Sequence, residues 1–340
     1  MSVLAPLKRS RAARFLLAGP LALRRRWLRR QERAHGEILD RIARDVRGDL
    51  VIRVEEHDGE FALSPRSHLA RRVLRDGVFE PEIAELFYRH VDPARDIIDV
   101  GANVGFFTVG GARRLTGGRV LAAEPTPGAF ARLTRNVGHN GVADRVILFN
   151  GLVSDAEGEF EINAVDGMEE YSSMGPISHP SMADARSASF KAPAMRLDDL
   201  VSRHGLSPAL IKVDVEGAEH MVFAGAVETL KRHRPFVISE LSDPLLRNLG
   251  GSAAGVVAFF EDLGYRVVDP MDPKARPGQR AFGDIFCIPP DRVRCLARAL
   301  ASASAASPPP RPRARRTPRP PPTLRPAPSR RPPPSLPRPP

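Results

Sequence analysis

From Ile97 onward, seven short apolar runs alternate with stretches of helical composition, and this alternation constrains the fold more than any other feature of the chain. The runs are IIDV (97–100), RVLAAE (119–124), VILFN (146–150), ALIKVDV (209–215), PFVISE (235–240), YRVVD (265–269) and DIFCIP (284–289). Four to seven residues rich in Val, Ile and Leu, separated by helical segments, predict buried strands of a mostly parallel sheet with helices on both faces. The last two runs lie close together and suit a closing hairpin that supplies one antiparallel strand. Periodicity alone stops at a doubly wound α/β fold.

Upstream, residues 50–63 read LVIRVEEHDGEFAL, two β-prone runs around Asp58-Gly59. Asp-Gly is a hairpin signal because both central residues of such a turn take positive φ. A helix is expected from Pro81 to about His90, with proline in its first turn. This hairpin and helix read as an N-terminal extension of the sheet domain. Between Val153 and Arg196 the alternation stops. A hairpin around Asp155–Gly158 is expected there, followed by a Ser- and Met-rich stretch too long for an idle connection.

Charge divides the chain into three. The first 33 residues hold ten Lys/Arg and one acid, and the segment from Ser307 onward holds nine Arg and no acid. With a total of +11 over 340 residues, the body between them carries about −7. We therefore expect a basic, partly helical arm (1–48), a folded domain (49–298) and a disordered Pro/Arg-rich tail (299–340). Helix in the arm rests on Ile38, Ile42 and Val46 at four-residue spacing. An acidic body argues against specific nucleic-acid binding, which needs a basic stripe on the domain itself. Phe15 to Leu23 is apolar but holds Pro20, runs into Arg24-Arg25-Arg26, and falls short of the ~20 residues of a membrane span. With Trp27 it makes the arm a candidate for weak peripheral contact with an anionic membrane. Two cysteines, Cys287 and Cys295, suggest neither a disulfide framework nor a zinc site. A cytoplasmic protein is expected.

Chemistry concentrates in two places. The first is DIIDVGANVGFFTV (96–109), a strand running into Asp99-Val100-Gly101-Ala102-Asn103-Val104-Gly105 and then a helix. Glycines in such a turn let a ligand approach the backbone closely. The spacing lacks the G-x-G-x-x-G of a dinucleotide site. An acid at Asp99 is awkward beside a pyrophosphate but favourable beside the cationic methionyl part of S-adenosylmethionine. Glu124 ends the next strand, where a carboxylate can accept ribose hydroxyls. Read singly, Asp99 is equally a cap residue and Glu124 a surface acid. Together they favour a nucleoside site.

The second is LIKVDVEGAEHMVFAGA (210–226), where a buried strand ends in Lys212, Asp214 and Glu216. Buried strands carry charge when it is paired or functional, and open α/β sheets bind ligands at this end. His220, on the first turn of the following helix, is a candidate base or a structural residue. Glu240 ends the next strand. These acids could hold a hydroxyl, an amine or a divalent metal, and the sequence does not choose.

From about residue 78 to 241 the chain resembles the FkbM methyltransferase family. The resemblance rests on FEPEIAELF, DVGANVGFFT, AAEPTPGAFARLTRNVGHN, LVSDAEGEFEI, MRLDDLV, IKVDVEGAEHMVFAGA and PFVISEL. It implies a class I, Rossmann-like methyltransferase fold, S-adenosyl-L-methionine as cofactor, and methyl transfer to an oxygen of a small molecule or sugar. It further implies that Asp99, Gly101, Asn103, Gly105 and Glu124 bind the cofactor and that Asp214 lies at the methyl-donor end. Lys212, Glu216 and Glu240 would surround the reaction centre, with Asp214, Glu216 and His220 as candidate bases in that order. Ser172 and Ser173 would face the acceptor, and Asn136 and Asn140 would be structural caps. Neither tail inherits anything from it. The competing readings are a non-catalytic binding module on the same fold and a nicotinamide-dependent oxidoreductase.

Overall fold

The computed structural model describes residues 36–165, 168–173, 187–272 and 274–292. Most of the basic arm with its Phe15–Leu23 run and Trp27, the Pro/Arg tail and Cys295 lie outside the described residues. Helical residues 36–45 (α1) lead to strands β1 (Leu50–Val54) and β2 (Gly59–Leu63) and helices α2 (His68–Asp76) and α3 (Pro81–Arg89). Next come β3 (Asp96–Val100), α4 (Phe106–Arg114), β4 (Val120–Ala123), α5 (Pro127–His139) and β5 (Val146–Phe149). An excursion follows through β6 (Leu152–Ser154), β7 (Gly158–Val165), β8 (Met168–Ser173) and β9 (Ser187–Arg196). The chain returns through α6 (Leu197–His204), β10 (Pro208–Val213), α7 (Glu219–Ala224), α8 (Val227–His233) and β11 (Phe236–Ser242). It closes with α9 (Asp243–Asn248), α10 (Ala253–Asp262), β12 (Arg266–Val268) and β13 (Phe282–Ile288).

All seven expected strands form one sheet in the order β12-β13-β11-β10-β3-β4-β5. β13 is its antiparallel member, paired to β11 and β12. Alternation along each strand sorts the core into two layers. Ile98, Val100, Ile211, Val213 and Val237 pack under α6, α7 and α10 through Leu197, Phe223 and Phe260. Ile97, Leu210, Ile238 and Phe286 pack on the other face with α3, α4 and the hairpin through Phe87, Phe107 and Phe61.

Two turns differ from the sequence reading. The β1–β2 connection is a single 3₁₀ turn, Glu55–His57, closed by Asp58 at φ 49°. Gly59 is not in the left-handed region but is needed for close approach, since a Cβ there would lie 2.8 Å from the Phe61 ring. In the excursion, β6 and β7 do not pair with each other. β9 inserts between them, parallel to β6 and antiparallel to β7, so the expected hairpin around 155–158 is a connection over an intervening strand.

The extension is tied to the sheet domain by polar clamps. The Asn136 amide accepts from the Ala62 N–H at 2.7 Å and donates to the carbonyls of Ala62 and Val104. Asn140, one turn later, accepts from the Glu60 N–H and donates to the Glu60 carbonyl. Four helical residues rise about 6 Å and two strand residues about 6.8 Å, so amides one turn apart match alternate residues of β2. The buried His57 ring bonds Tyr88 Oη at 2.7 Å and the Phe79 carbonyl at 2.9 Å, and stacks on Phe106.

Candidate functional site

The alternation that builds the core also delivers charge to one place. Asp99, Lys212 and Glu240 share the face of Ile97, Leu210 and Ile238, and Asp284 shares that of Phe286. Register brings them together, with Lys212 opposite Asp99 and Glu240 opposite Asp284. Four neighbouring strands thus each contribute an ionisable side chain on the face covered by α3, α4 and the hairpin. Glu80, which precedes α3 at φ 49°, adds a fifth from above.

Lys212 is the cation of this group. Its side chain is 7% exposed, with Nζ 3.0 Å from Asp214 Oδ2 and 4.7 Å above the Phe107 ring. Burial alone would lower the ammonium pKa, but Asp214, Glu80 and Asp99 outweigh it and the net shift is upward. Asp99 accepts from Thr108 Oγ1 at 2.6 Å. Its carboxyl is pushed up by burial, against the pull of Lys212. Glu240 rises to about 9, first from burial and then from Asp214, Glu80, Glu216 and Asp284. Burial likewise lifts Glu80 to about 7 and Asp284 to about 6. One cation among this many carboxyls holds some ionised and leaves others as proton-bearing donors near neutral pH.

The glycine turn lies beside this cluster. Gly101, Asn103 and Gly105 have φ of 77°, 50° and 92°. A Cβ on Gly101 would fall 1.8 Å from the Asp214 carbonyl oxygen, so the β3 and β10 loops meet only because residue 101 lacks a side chain. Glu124 is buried at the end of β4. Its Oε1 accepts from Thr126 N–H and Oγ1, and its Oε2 from Asn103 N–H at 3.0 Å. Oε2 takes a single protein donor in these bonds and retains acceptor capacity. Burial lifts this carboxyl to about 7, with the Thr126 and Asn103 bonds pulling the other way.

Asp99, Gly101, Asn103, Glu124, Lys212, Asp214, Glu216 and Glu240 all line one cleft of about 1080 Å³. Its donor set runs from an acceptor carboxylate and an open backbone turn at the β4 end to the acid–lysine cluster at β10 and β11. That set fits a nucleoside bearing a cationic tail.

Residues 99–267 match the family described as the methyltransferase FkbM domain. The chain is 31% identical over 221 residues to 2-O-methyltransferase NoeI of Sinorhizobium fredii, covering 59% of this chain and 82% of that protein. It belongs to the FkbM methyltransferase family. A second relative, 31-O-demethyl-FK506 methyltransferase FkbM of Streptomyces tacrolimicus, is 27% identical, covering 53% of this chain and 76% of that one. A crystal structure of methyltransferase FkbM from Methylobacillus flagellatus KT aligns over 65% of this chain and 55% of its own, with 15% identity and a TM-score of 0.36.

In this FkbM-family chain the fold is the class I methyltransferase sheet. Two sequence-derived candidates stand apart from the cleft. His220 is not among its lining residues; α7 turns the ring onto Gly251, where an added Cβ would lie 2.5 Å from Nδ1. Gly105 is also not a lining residue, and it faces Leu133, 2.6 Å from an added Cβ. Its part is to let α4 begin close to α5. Ser172 and Ser173 are strand partners of Ala164 and Asn163 on β8, and their side chains lie outside the described residues. Asn136 and Asn140 are structural, as expected: Asn140 caps the end of α5, its amide donating to the Asn136 carbonyl at 2.8 Å, and both also clamp β2.

Sequence reading missed Glu80, Asp284 and the basic face of α2, all at the cleft or its electrostatic neighbourhood. Glu80 precedes Pro81 and reads as a helix-start acid. Asp284 opens an apolar run and reads as a strand boundary. Among the described residues, no group of three or more His, Cys, Asp or Glu is placed to hold a metal, and no helix is long and apolar enough to cross a membrane. Cys287 is buried, and burial pushes its thiol up.

Proposed function

We propose that this chain transfers a methyl group from S-adenosyl-L-methionine to an oxygen of a small-molecule or glycan acceptor. The observation that carries the reading is the single cleft in which Glu124, the Gly101–Asn103 turn and the Lys212–Asp214 pair meet. The names of the two relatives, a 2-O-methyltransferase and a 31-O-demethyl-FK506 methyltransferase, favour oxygen as the acceptor atom.

S-adenosylmethionine, when bound, supplies a methyl group already activated on a sulfonium. The chain's own work is then alignment, water exclusion and management of one proton. Glu124 Oε2 accepts from a ribose hydroxyl, and the buried Asp99 and half-buried Asp214 favour a cationic methionyl group. Asp214 is the leading candidate to take the acceptor's hydroxyl proton, and Glu216 the second. Lys212 holds Asp214 by their ion pair. Glu240, protonated up to about pH 9, orients an acceptor oxygen by donating to it.

Calorimetric titration with S-adenosylhomocysteine and, separately, NAD⁺ tests the reading, using wild type and Glu124→Gln. Binding of the first ligand alone, weakened in the variant, supports it. Binding of neither by folded protein would favour a non-catalytic module, and binding of NAD⁺ an oxidoreductase. Turnover that survives Glu216→Gln would leave Asp214 as the base.

A further inference from the structure

Helix α2 carries His68, Arg71, Arg72 and Arg75, the i, i+3, i+4, i+7 pattern of one helical face. The opposite side, Leu69, Ala70 and Val73, is buried in the core, which fixes the rotation of the helix. Ser67 Oγ accepts from Ala70 N–H at its start, and Gly77 in the left-handed region ends it. All four basic residues line the same cleft as the acid–lysine cluster. A cleft with an acidic floor and one basic wall calls for a ligand that satisfies both.

We propose that the α2 wall is a subsite for an oxyanion carried by the methyl acceptor, so that the acceptor is a polyhydroxylated molecule bearing a carboxylate or a phosphate. This rests on the methyl-transfer reading of the cleft and names the acceptor class it leaves open. The arginines do have protein partners: Arg71 with Asp40 at 2.8 Å, Arg72 with Glu80 at 3.6 Å, and Arg75 with Asp76 at 2.7 Å. These pairs are partly solvent-exposed, and pairs of that kind contribute little and exchange readily. Each guanidinium has five donors, more than one carboxylate can occupy. The Nε of Arg71 is buried with no acceptor, so this guanidinium is not satisfied by the protein alone. Glu80, with its carboxyl raised to about 7, offsets Arg72 only in part near neutral pH. The wall therefore keeps a positive balance. At the rim Phe282, 61% exposed, offers an aromatic face for the C–H side of a sugar ring. A nucleic-acid strand suits the site poorly, because its phosphates would have to pass the acidic floor.

The test is an NMR titration of the full chain, with and without saturating S-adenosylhomocysteine, using glucuronate, glucose 6-phosphate and neutral glucose. Wild type is compared with Arg71→Gln/Arg75→Gln and with Arg89→Gln, an exposed α3 arginine paired to Glu85. At least one charged sugar should bind about ten-fold or more tightly than glucose, and the double variant should lose that margin while Arg89→Gln keeps it. The preferred sugar identifies the oxyanion as carboxylate or phosphate. Equal binding of all three sugars, binding of none, or equal losses in the double variant and Arg89→Gln would overturn the proposal. S-adenosylhomocysteine binding is read separately in each protein. If it fails while the arginine-dependent sugar binding holds, the methyl-transfer reading falls and the oxyanion subsite stands.

Discussion

Lys212 and Asp214 form an ion pair across one intervening residue, Nζ to Oδ2 3.0 Å, with the lysine side chain 7% exposed. Asp99, Glu80 and Asp214 all raise the lysine pKa, so this one ammonium answers several carboxyls. Lys212→Met removes that ammonium from Asp99 and Asp214, while Glu80 keeps Arg72 at 3.6 Å. Removing one partner of a fully buried pair costs about 3–5 kcal/mol; with Asp214 28% exposed, urea denaturation should read a loss near the lower end of that range. Lys212→Met/Asp214→Asn should recover part of it, because the second change removes one of the orphaned charges.

Glu240 sets a pH dependence. Its folded-state pKa of about 9 lies above the ordinary carboxyl value of 4.5, so the folded protein holds a proton that the unfolded chain releases. Stability from this group is full below about pH 4.5 and is lost as pH rises toward 9. Glu80, Glu124 and Asp284 act with the same sign over narrower windows ending near 7, 7 and 6. Glu240→Gln keeps the shape and removes the titration. Its melting temperature should gain on wild type steadily from pH 6 to 9, and a constant difference would refute the assignment.

His57 works in the opposite direction. Its Nε2 faces the Phe79 carbonyl, which only accepts, so Nε2 carries the proton and Nδ1 accepts from Tyr88 Oη–H. Burial pulls the ring to about 4, with the Phe79 bond pulling back. The unfolded chain protonates near 6.5, so this stability is present above pH 6.5 and disappears as pH falls to 4. The advantage of wild type over His57→Gln should shrink by up to about 3 kcal/mol across that window, measured by denaturation at matched pH values.

The strands were legible because each apolar run carries its own signal, and the β3 and β10 motifs because charge inside a buried strand is conspicuous. Other features needed the third dimension. SHLARRVLRD is polar overall, and only its position over the cleft turns the basic residues into a wall. Glu80 and Asp284 look like boundary acids until register sets Asp284 opposite Glu240. His220 is adjacent in sequence to the KVDVEGAE motif, yet the direction of α7 carries it onto Gly251. The clamp of Asn136 and Asn140 on β2 was invisible because those partners, Ala62 and Glu60, lie more than 70 residues upstream.

That separation makes Asn136 a sensitive probe of how the extension is held. Asn136→Ala removes an acceptor from Ala62 N–H and donors from the carbonyls of Ala62 and Val104, all in buried surroundings. Each unsatisfied buried group costs about 1–3 kcal/mol, so a loss of about 3 kcal/mol is expected. Asn140→Ala, whose clamp on Glu60 is solvent-exposed, should cost less. Hydrogen exchange at Ala62 should accelerate in Asn136→Ala before the central strands lose protection.

Gly101 tests the link between backbone geometry and ligand binding. Its φ of 77° disfavours any side chain, and a Cβ would sit 1.8 Å from the Asp214 carbonyl oxygen. The contact is reinforced by the Asp214 N–H donating to the Val100 carbonyl at 3.0 Å. A methyl group there must push apart the two loops that bring Asn103 and Asp214 into one cleft. Gly101→Ala should lower the melting temperature and weaken S-adenosylhomocysteine binding by about a hundred-fold or more, since displacements near 1 Å at such sites cost that much. Gly138→Ala is the matched control. That residue lies in α5 with no atom within 4 Å of an added Cβ, so the change should stabilise by about 0.4–1 kcal/mol through helix propensity and the unfolded chain. Its ligand affinity should match wild type. If both variants bound the ligand equally well, the close approach of the two loops would be a packing feature with no part in the site.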